Sequence, residues 1–308
     1  MDAAIVISTR DRPALLEGAI GAARAALRSG DELVIVDSAS RDPSAMERIA
    51  ATADVRLVRC DTPGASRARN AGAAATSAPL LAFTDDDCRP QPGWTAALER
   101  AFADPRTGLV TGRILPDRAG GRALSVLLDE QPRVLVAGDD PATAGSGANM
   151  AFRREAFDAV GGFDREFGPG ARFRAAEDHE LFWRVLRAGW VGRYTPDAVV
   201  VHEQWRGFGA FFAASFGYGV GSGALAAKVA SVDAARGRAL LRAGFVGNGI
   251  GRALSHVRAG YELGALASLV TASGVVTGRA RAARHRWSAV PSGEPVEGTD
   301  ELGGNIAP

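Results

Sequence analysis

Three consecutive carboxylates, Asp85-Asp86-Asp87, follow directly on the apolar run Leu80-Leu81-Ala82-Phe83. A run that is apolar on both faces reads as a buried strand. Three acids cannot share that burial, so the strand ends at Thr84 or Asp85 and opens into a wet cleft. Side chains two apart on extended backbone point the same way. Asp85 and Asp87 are therefore expected to face one site, with Asp86 turned aside. Two carboxylates aimed at one point repel unless a cation sits between them, and oxygen ligands of this kind suit Mg2+ or Mn2+. Such cations commonly complete their shell with substrate phosphates. A solvated polar turn after a strand is the plain alternative, because short acidic motifs recur by chance.

The elements before this motif must position it. Residues 3–8 are a β-branched run, Glu32-Leu33-Val34-Ile35-Val36 is a second, and Val55-Arg56-Leu57-Val58 is a third. Between them lie alanine-rich helical stretches. One runs from Ala14 to Leu27 after Pro13, one starts at Asp42-Pro43, and one spans Arg67 to Ala75. A fourth helix opens at Pro92-Gly93-Trp94. This alternation predicts an α/β fold with a mostly parallel sheet flanked by helices. In such sheets ligands sit beyond the carboxyl ends of the strands. Those ends carry Thr9 and Arg10, Asp37 and Ser40, Asp61 to Ser66, and Asp85 to Asp87. Neither GxGxxG after a strand nor GxxxxGK[ST] occurs. Gly219 to Ala224 imitates the first, but it follows an aromatic helical stretch and reads as a packing-glycine run.

Further along, Leu109 to Leu115 reads as a strand and residues 116–146 as irregular, a candidate active-site loop. Ala176 to Arg187 has helical periodicity, with Glu177 and Asp178 in its first turn. The helix dipole explains one acid there. It explains Glu177, Asp178 and Glu180 together less well, and a carboxylate held at a helix start suits a general base. Ala198 to Val201 is a strand ending on His202, either a structural histidine or a metal ligand.

These motifs, in this order, resemble those of the family 2 glycosyltransferases with their nucleotide-sugar-binding GT-A fold. The resemblance covers residues 3–205, about two-thirds of the chain. Residues 5–13 resemble the opening strand and its Thr-Arg-Asp-Arg-Pro loop. Val36-Asp37-Ser38-Ala39-Ser40 resembles the segment that contacts the nucleoside, with Ser38 in place of a usual second Asp. Gly64 to Gly72, containing Arg67, Arg69 and Asn70, resembles the segment that closes over the nucleotide. Phe83 to Pro90 resembles the DxD region. The resemblance implies that Asp87 holds the metal and that Asp85 serves the ribose or the metal shell, with Asp86 beside them. It also implies that Asp178 of the Glu177-Asp178 pair is the catalytic base. His202 resembles the late histidine that joins the metal in some members. The implied donor set is Thr9, Arg10, Asp37, Ser40, Arg67, Arg69, Asn70, Asp85 and Asp86. The implied metal set is Asp87, Asp85 and His202, with Mn2+ or Mg2+ as cofactor.

The implied reaction is inverting transfer of a sugar from a nucleotide-diphosphate sugar to an acceptor hydroxyl, on a glycan, a lipid-linked sugar or a small molecule. Nucleotidyl or phosphoryl transfer at the same acids would leave Asp178 dispensable. A non-catalytic nucleotide-sugar sensor would bind without turnover. A net charge of +1 gives no bulk electrostatic case for nucleic acid.

The chain of 308 residues divides, on this reading, into a catalytic domain over 1–205, a helical appendage over 206–287 and a disordered tail over 288–308. The catalytic domain has a nucleotide half to about residue 110 and an acceptor side over 111–205. Helical runs are expected near 207–230, 233–258 and 260–285. Leu263 to Val276 is uncharged but shorter than a membrane span of about 20 residues, and Gly264 and Gly274 are expected to interrupt it. The appendage is expected to pack on the catalytic domain, with peripheral membrane contact through its arginines as the competing expectation. Two cysteines and no apolar leader suggest a cytoplasmic location, with the inner membrane face as the alternative.

Overall fold

The computed structural model describes residues 1–118 and 124–287, so the expected tail lies outside the described residues. The first half alternates strictly. It comprises β1 (Ala3–Thr9), α1 (Pro13–Ala26), β2 (Glu32–Ser38), α2 (Pro43–Ala53), β3 (Arg56–Cys60), α3 (Ala65–Ala74) and β4 (Leu80–Asp85). Then come β5 (Cys88–Pro90), α4 (Trp94–Ala101), β6 (Thr107–Pro116), β7 (Arg133–Leu135), β8 (Met150–Arg153), α5 (Arg154–Ala159), α6 (Glu177–Arg187) and β9 (Val191–His202). The chain ends in helices: α7 (Phe208–Ala230), α8 (Ala234–Arg242), a π-helical stretch Ala243–Gly251, α9 (Arg252–Arg258) and α10 (Glu262–Ala282).

One sheet organises the molecule, in the order β3-β2-β1-β4-β8-β6-β9-β5, with β7 pairing β9. From β3 to β4 it is parallel, as the alternation requires. Beyond β4 it is mixed. Strand β8 runs antiparallel between β4 and β6, while β6 and β9 are parallel to each other. The acid-tipped strand β4 thus sits at the centre, where the strand direction changes.

Both faces of the central strands are apolar because both are covered. Ile5, Ile7, Leu33 and Ile35 face α1 and α4 through Leu16, Ile20, Trp94 and Leu98. Val6, Val34 and Val36 face the other way, with Phe83 and Phe152. Phe83 packs edge-on to Phe163 at 5.2 Å between ring centres and stacks on Phe157 at 5.8 Å. A third cluster, with Phe167, Phe173, Trp183, Leu225 and Val229, seals α7 onto the catalytic domain.

Two expectations for the appendage change. The second helical run is divided into α8, the π-helical stretch and α9. Helix α10 spans 21 residues, so it and α7 are each long and apolar enough to cross a membrane by length and composition. Its glycines do not interrupt it. A Cβ on Gly274 would lie 2.3 Å from the Phe216 carbonyl oxygen, and one on Gly223 would lie 2.1 Å from that of Val275. The glycines of α7 and α10 are where two helix backbones touch, as the packing-glycine reading of 219–224 requires.

Candidate active site

The end of β4 distributes its three acids to three different partners. Asp85 is the accessible one, with 31% of its side chain exposed, against 0% for Asp86 and 2% for Asp87. Its Oδ1 accepts a hydrogen bond from Arg69 Nη2 at 2.6 Å. The other arm of Arg69 donates to Glu177 Oε1 at 2.7 Å. One buried guanidinium therefore joins the tip of β4 to the start of α6. Burial alone would lower the pKa of Arg69, but the two carboxylates outweigh it and hold the group firmly charged. Burial raises the carboxyl pKa of Glu177 despite the pull of Arg69.

Asp86 turns aside and inward. Its Oδ2 accepts from the Thr9 hydroxyl at 2.7 Å, and its Oδ1 lies 2.9 Å from Arg12 Nη2. Burial pushes its carboxyl up to about 7, against the pull of Arg12. A fully buried side chain offers a donor no surface, so Asp86 and the nearly buried Thr9 form an inner support for the loop in this structure.

Asp87 lies in the turn between β4 and β5, just before the strand that pairs with β9. Cys88 and His202 face each other across the β5–β9 pair, which brings His202 Nε2 to 3.3 Å from Asp87 Oδ1. The Leu124 carbonyl lies 2.9 Å from His202 Nδ1, on the far side of the ring. Burial lowers the imidazole pKa, but the hydrogen bond and charge of Asp87 outweigh it and raise it overall. The other oxygen of Asp87 accepts from Trp205 Nε1 at 2.8 Å and meets Arg206 at 3.4 Å and Arg12 at 3.5 Å. The hydrogen bond and charge of His202, joined by Arg206 and Trp205, outweigh burial and hold its carboxyl well below the usual range.

Asp87, His202 and Cys88 bring one ligand atom each to within 4.8 Å of one another. A carboxylate oxygen beside an imidazole nitrogen suits Mn2+, whereas Mg2+ prefers oxygen alone. Burial, reinforced by Asp87, pushes the Cys88 thiol up, so it stays protonated and is a poor ligand. Asp85, expected to share the ion with Asp87, is not one of these three, and its Oδ1 is engaged by Arg69.

Asp178 lies in the first turn of α6, after Ala176, which has the left-handed φ of 64°. Its Oδ2 accepts from the Gly147 backbone N–H at 2.7 Å and its Oδ1 from that of His179 at 2.8 Å. A Cβ on Gly147 would lie 3.2 Å from Asp178 Oδ2, so the glycine permits this approach. His179 is anchored in turn, with Nε2 3.2 Å from the Gly145 carbonyl.

The remaining expected residues separate into two groups. Asp37, at the end of β2, accepts from the Ser40 N–H at 2.9 Å and pairs with Arg59. Ser40 accepts from the Asp11 N–H at 2.9 Å, which ties the first two strand-end loops together. Asn70 instead clasps Phe163 through two backbone hydrogen bonds of 2.8 and 2.9 Å. Arg10 is exposed and near Asp11 at 3.9 Å, and Arg67 lies against Gly64. The arginines that reach the acids are Arg69, Arg12 and Arg206. Trp205, with guanidinium carbons of Arg206 and Arg12 at 4.9 and 5.4 Å from its ring centre, completes the enclosure. Arg12, Trp205 and Arg206 were not among the expected site residues. The only available signal was the Trp-Arg pair three residues past a strand that ends on histidine.

The family model described as glycosyl transferase family 2 matches residues 4–161. The pre-mycofactocin glycosyltransferases of two Mycobacterium tuberculosis strains, CDC 1551 and H37Rv, are 30% identical over 294 residues, 92% of this chain. The chain spans 58% of the length of these curated relatives. Among solved structures, the mannosyltransferase PcManGT from Pyrobaculum calidifontis, in complex with GDP-Man and Mn2+, superposes with a TM-score of 0.61 at 21% identity. That match covers 90% of this chain and 86% of that one. S. aureus TarS 1-349 gives a TM-score of 0.53 at 14% identity, covering 77% and 68%. These two likenesses bear on the fold, which is the mixed α/β arrangement of GT-A glycosyltransferases with a helical C-terminal region. With half of its residues matched by the family model, the chain belongs to glycosyl transferase family 2.

Proposed function

We propose that this chain is an inverting, divalent-metal-dependent glycosyltransferase that moves a sugar from a nucleotide-diphosphate sugar to an acceptor hydroxyl. The observation that carries this reading is the Arg69 bridge, which joins the acid-tipped strand and the acid-headed helix in one charged unit. The GDP-Man and Mn2+ held by the solved mannosyltransferase support the donor class and the cofactor.

Asp87 and His202 would hold the cation, and Mn2+ is favoured by the imidazole. When bound, it supplies Lewis-acid stabilisation of the charge that develops on the departing diphosphate. Arg12 and Arg206, which neutralise Asp87 in this structure, turn to the diphosphate and add to that stabilisation. Asp37 and Ser40 shape the nucleoside end, and Asp85, held by Arg69, meets the donor from the accessible side of the cleft. Asp178, with both oxygens oriented by backbone N–H groups, accepts the proton of the acceptor hydroxyl. The acceptor oxygen bonds to the anomeric carbon, and the sugar–phosphate bond breaks with its electron pair on the diphosphate. One base opposite the leaving group gives inversion.

Thermal unfolding with UDP, GDP, dTDP and CDP, with and without Mn2+, tests the donor site. One nucleotide should raise the Tm of the wild type with metal and fail to do so in Asp87→Ala. No shift with any nucleotide would overturn the donor reading. Asp178→Asn should keep the shift and lose turnover. Full turnover in that variant would overturn the assignment of the base.

A further inference from the structure

The C-terminal helices leave an apolar face uncovered. Val246 and Ile250 of the π-helical stretch and Leu254 and Val257 of α9 are exposed, Val257 by 62%. Leu266 and Leu269 of α10 are about half exposed. The π-helical stretch and α9 both pack against α10, so these residues belong to one neighbourhood of the surface. Exposed aliphatic residues recurring at helical spacing on neighbouring elements mark an interaction surface rather than ordinary scatter.

Charge identifies the partner. Between residues 234 and 287 there are nine arginines and one carboxylate, Glu262. That segment carries +8, and the other 254 residues carry −7. Arg242, Arg252 and Arg258, interleaved with the aliphatic residues, are all exposed. An apolar face set among arginines fits an anionic lipid surface, where the side chains enter the acyl boundary and the guanidinium groups meet headgroup phosphates.

The packing specifies lying on the bilayer rather than crossing it. Helix α7 is fastened to the catalytic domain by Lys228, whose Nζ lies 2.6 Å from both Asp164 and Glu180. Beyond α10 the chain returns to the same domain, where Trp287 stacks on Phe167 at 5.8 Å. Helix α10 lies against α7 along its length, and the two run parallel. Gly219 meets Thr271 and Gly223 meets Val275, so Leu266 falls level with the first turn of α7. That turn begins two residues after Arg206, which touches Asp87. The apolar face therefore begins at the end of α7 that follows on from the acid cluster.

We infer that residues 234–282 form a docking face for anionic lipid bilayers. Docking brings the acid cluster to the lipid surface. The corollary, which rests on the proposed function, is that the acceptor hydroxyl belongs to a lipid-linked molecule.

Vesicle flotation of the full chain tests this without any turnover, so failure of the donor reading leaves the result unaffected. The probes are phosphatidylcholine vesicles and the same vesicles carrying phosphatidylglycerol. The wild type should float with the anionic vesicles and much less with the neutral ones. Leu254→Glu with Val257→Glu should reduce flotation by about tenfold or more, with Tm unchanged because both sites are exposed. Arg252→Glu and Arg258→Glu should each reduce it by at least about fivefold and shift release to lower salt. Absence of flotation with anionic vesicles at low salt would overturn the proposal. So would self-association in sedimentation that the paired glutamates abolish without any effect on flotation, because the face would then belong to a second copy. Resistance of the bound chain to carbonate extraction would overturn the surface geometry in favour of a span.

Discussion

Lys228 Nζ lies 2.6 Å from Glu180 Oε1, and this contact ties the helical appendage to the helix that carries Asp178. Glu180 is buried and also binds Arg184 through two hydrogen bonds of 2.6 and 2.7 Å. Lys228 is the only lysine in the chain, and its second contact is Asp164. Losing one member of a buried ionic group costs about 3–5 kcal/mol when the other charge is left unpaired. Glu180 keeps Arg184, so Lys228→Met should cost toward the lower end of that range, read by urea unfolding. If α6 is positioned by this contact, kcat should fall while nucleotide affinity holds, and Lys228→Arg should recover part of both.

The same contact makes acid stability measurable. Burial tends to raise the Asp164 carboxyl, but Lys228 outweighs it and lowers the pKa below the ordinary 3.8. A carboxyl depressed in the folded state contributes stability above its unfolded pKa and loses it as pH falls through the folded value. The wild type should therefore lose stability from Asp164 as pH drops below about 4. Lys228→Met should show a shallower loss over that range in unfolding curves taken from neutral to acid. An unchanged acid limb would remove Lys228 as the cause.

Arg69 makes a different demand, because two carboxylates share its planar fork. Lysine offers one point charge and cannot reproduce both directional contacts. Arg69→Lys should leave either Asp85 or Glu177 without its partner and loosen the register between β4 and α6. Misplacement of reacting groups by about 1 Å can cost about a hundredfold in rate. A fall of that order in kcat, with Mn2+ affinity retained, is the expected result. An equal loss of both would place Arg69 in the metal site itself.

Asp85 and Asp87 are separable by metal binding. Asp87 stands beside His202, whereas Asp85 is held by Arg69. In Mn2+ titrations followed by electron paramagnetic resonance, Asp87→Asn and His202→Ala should each weaken binding strongly, and Asp85→Asn should leave most of it. Loss of binding in Asp85→Asn equal to that in Asp87→Asn would restore the paired-carboxylate arrangement.

The parallel half of the fold was legible because each of its strands is followed by its own helix and both faces are apolar. Ile5 and Ile7 against Val6 express that pattern within one strand. The three acids and the Glu177-Asp178 pair stood out because acids at the ends of apolar runs have few structural reasons to be there. The antiparallel insertion of β8 was not legible, since Met150–Arg153 is only four residues and its neighbours are set by tertiary packing. Nor was the enclosure of Asp87. Arg12 and Arg206 are 194 positions apart, and no local spacing distinguishes them from the other arginines. Arg10, a member of the expected donor set, is exposed and lies 3.9 Å from Asp11.

Helix α10 runs unbroken over 21 residues for a reason that can be tested. Its glycines suggested interruption, yet in the structure they are contact points with α7. A Cβ added at Gly223 would meet the Val275 carbonyl oxygen at 2.1 Å, and backbone cannot yield as a flexible side chain can. Overpacking of this kind typically costs about 1–3 kcal/mol. Gly223→Ala should therefore lower stability and expose the α8–α9 segment to limited proteolysis. Gly21 of α1 provides the opposite case, with nothing within 4 Å of an added Cβ. There alanine only removes unfolded-chain entropy and should add about 0.5–1 kcal/mol. Opposite signs for the same substitution in two helices would locate the effect in the α7–α10 contact. A gain at both positions would show that these helices can separate without loss.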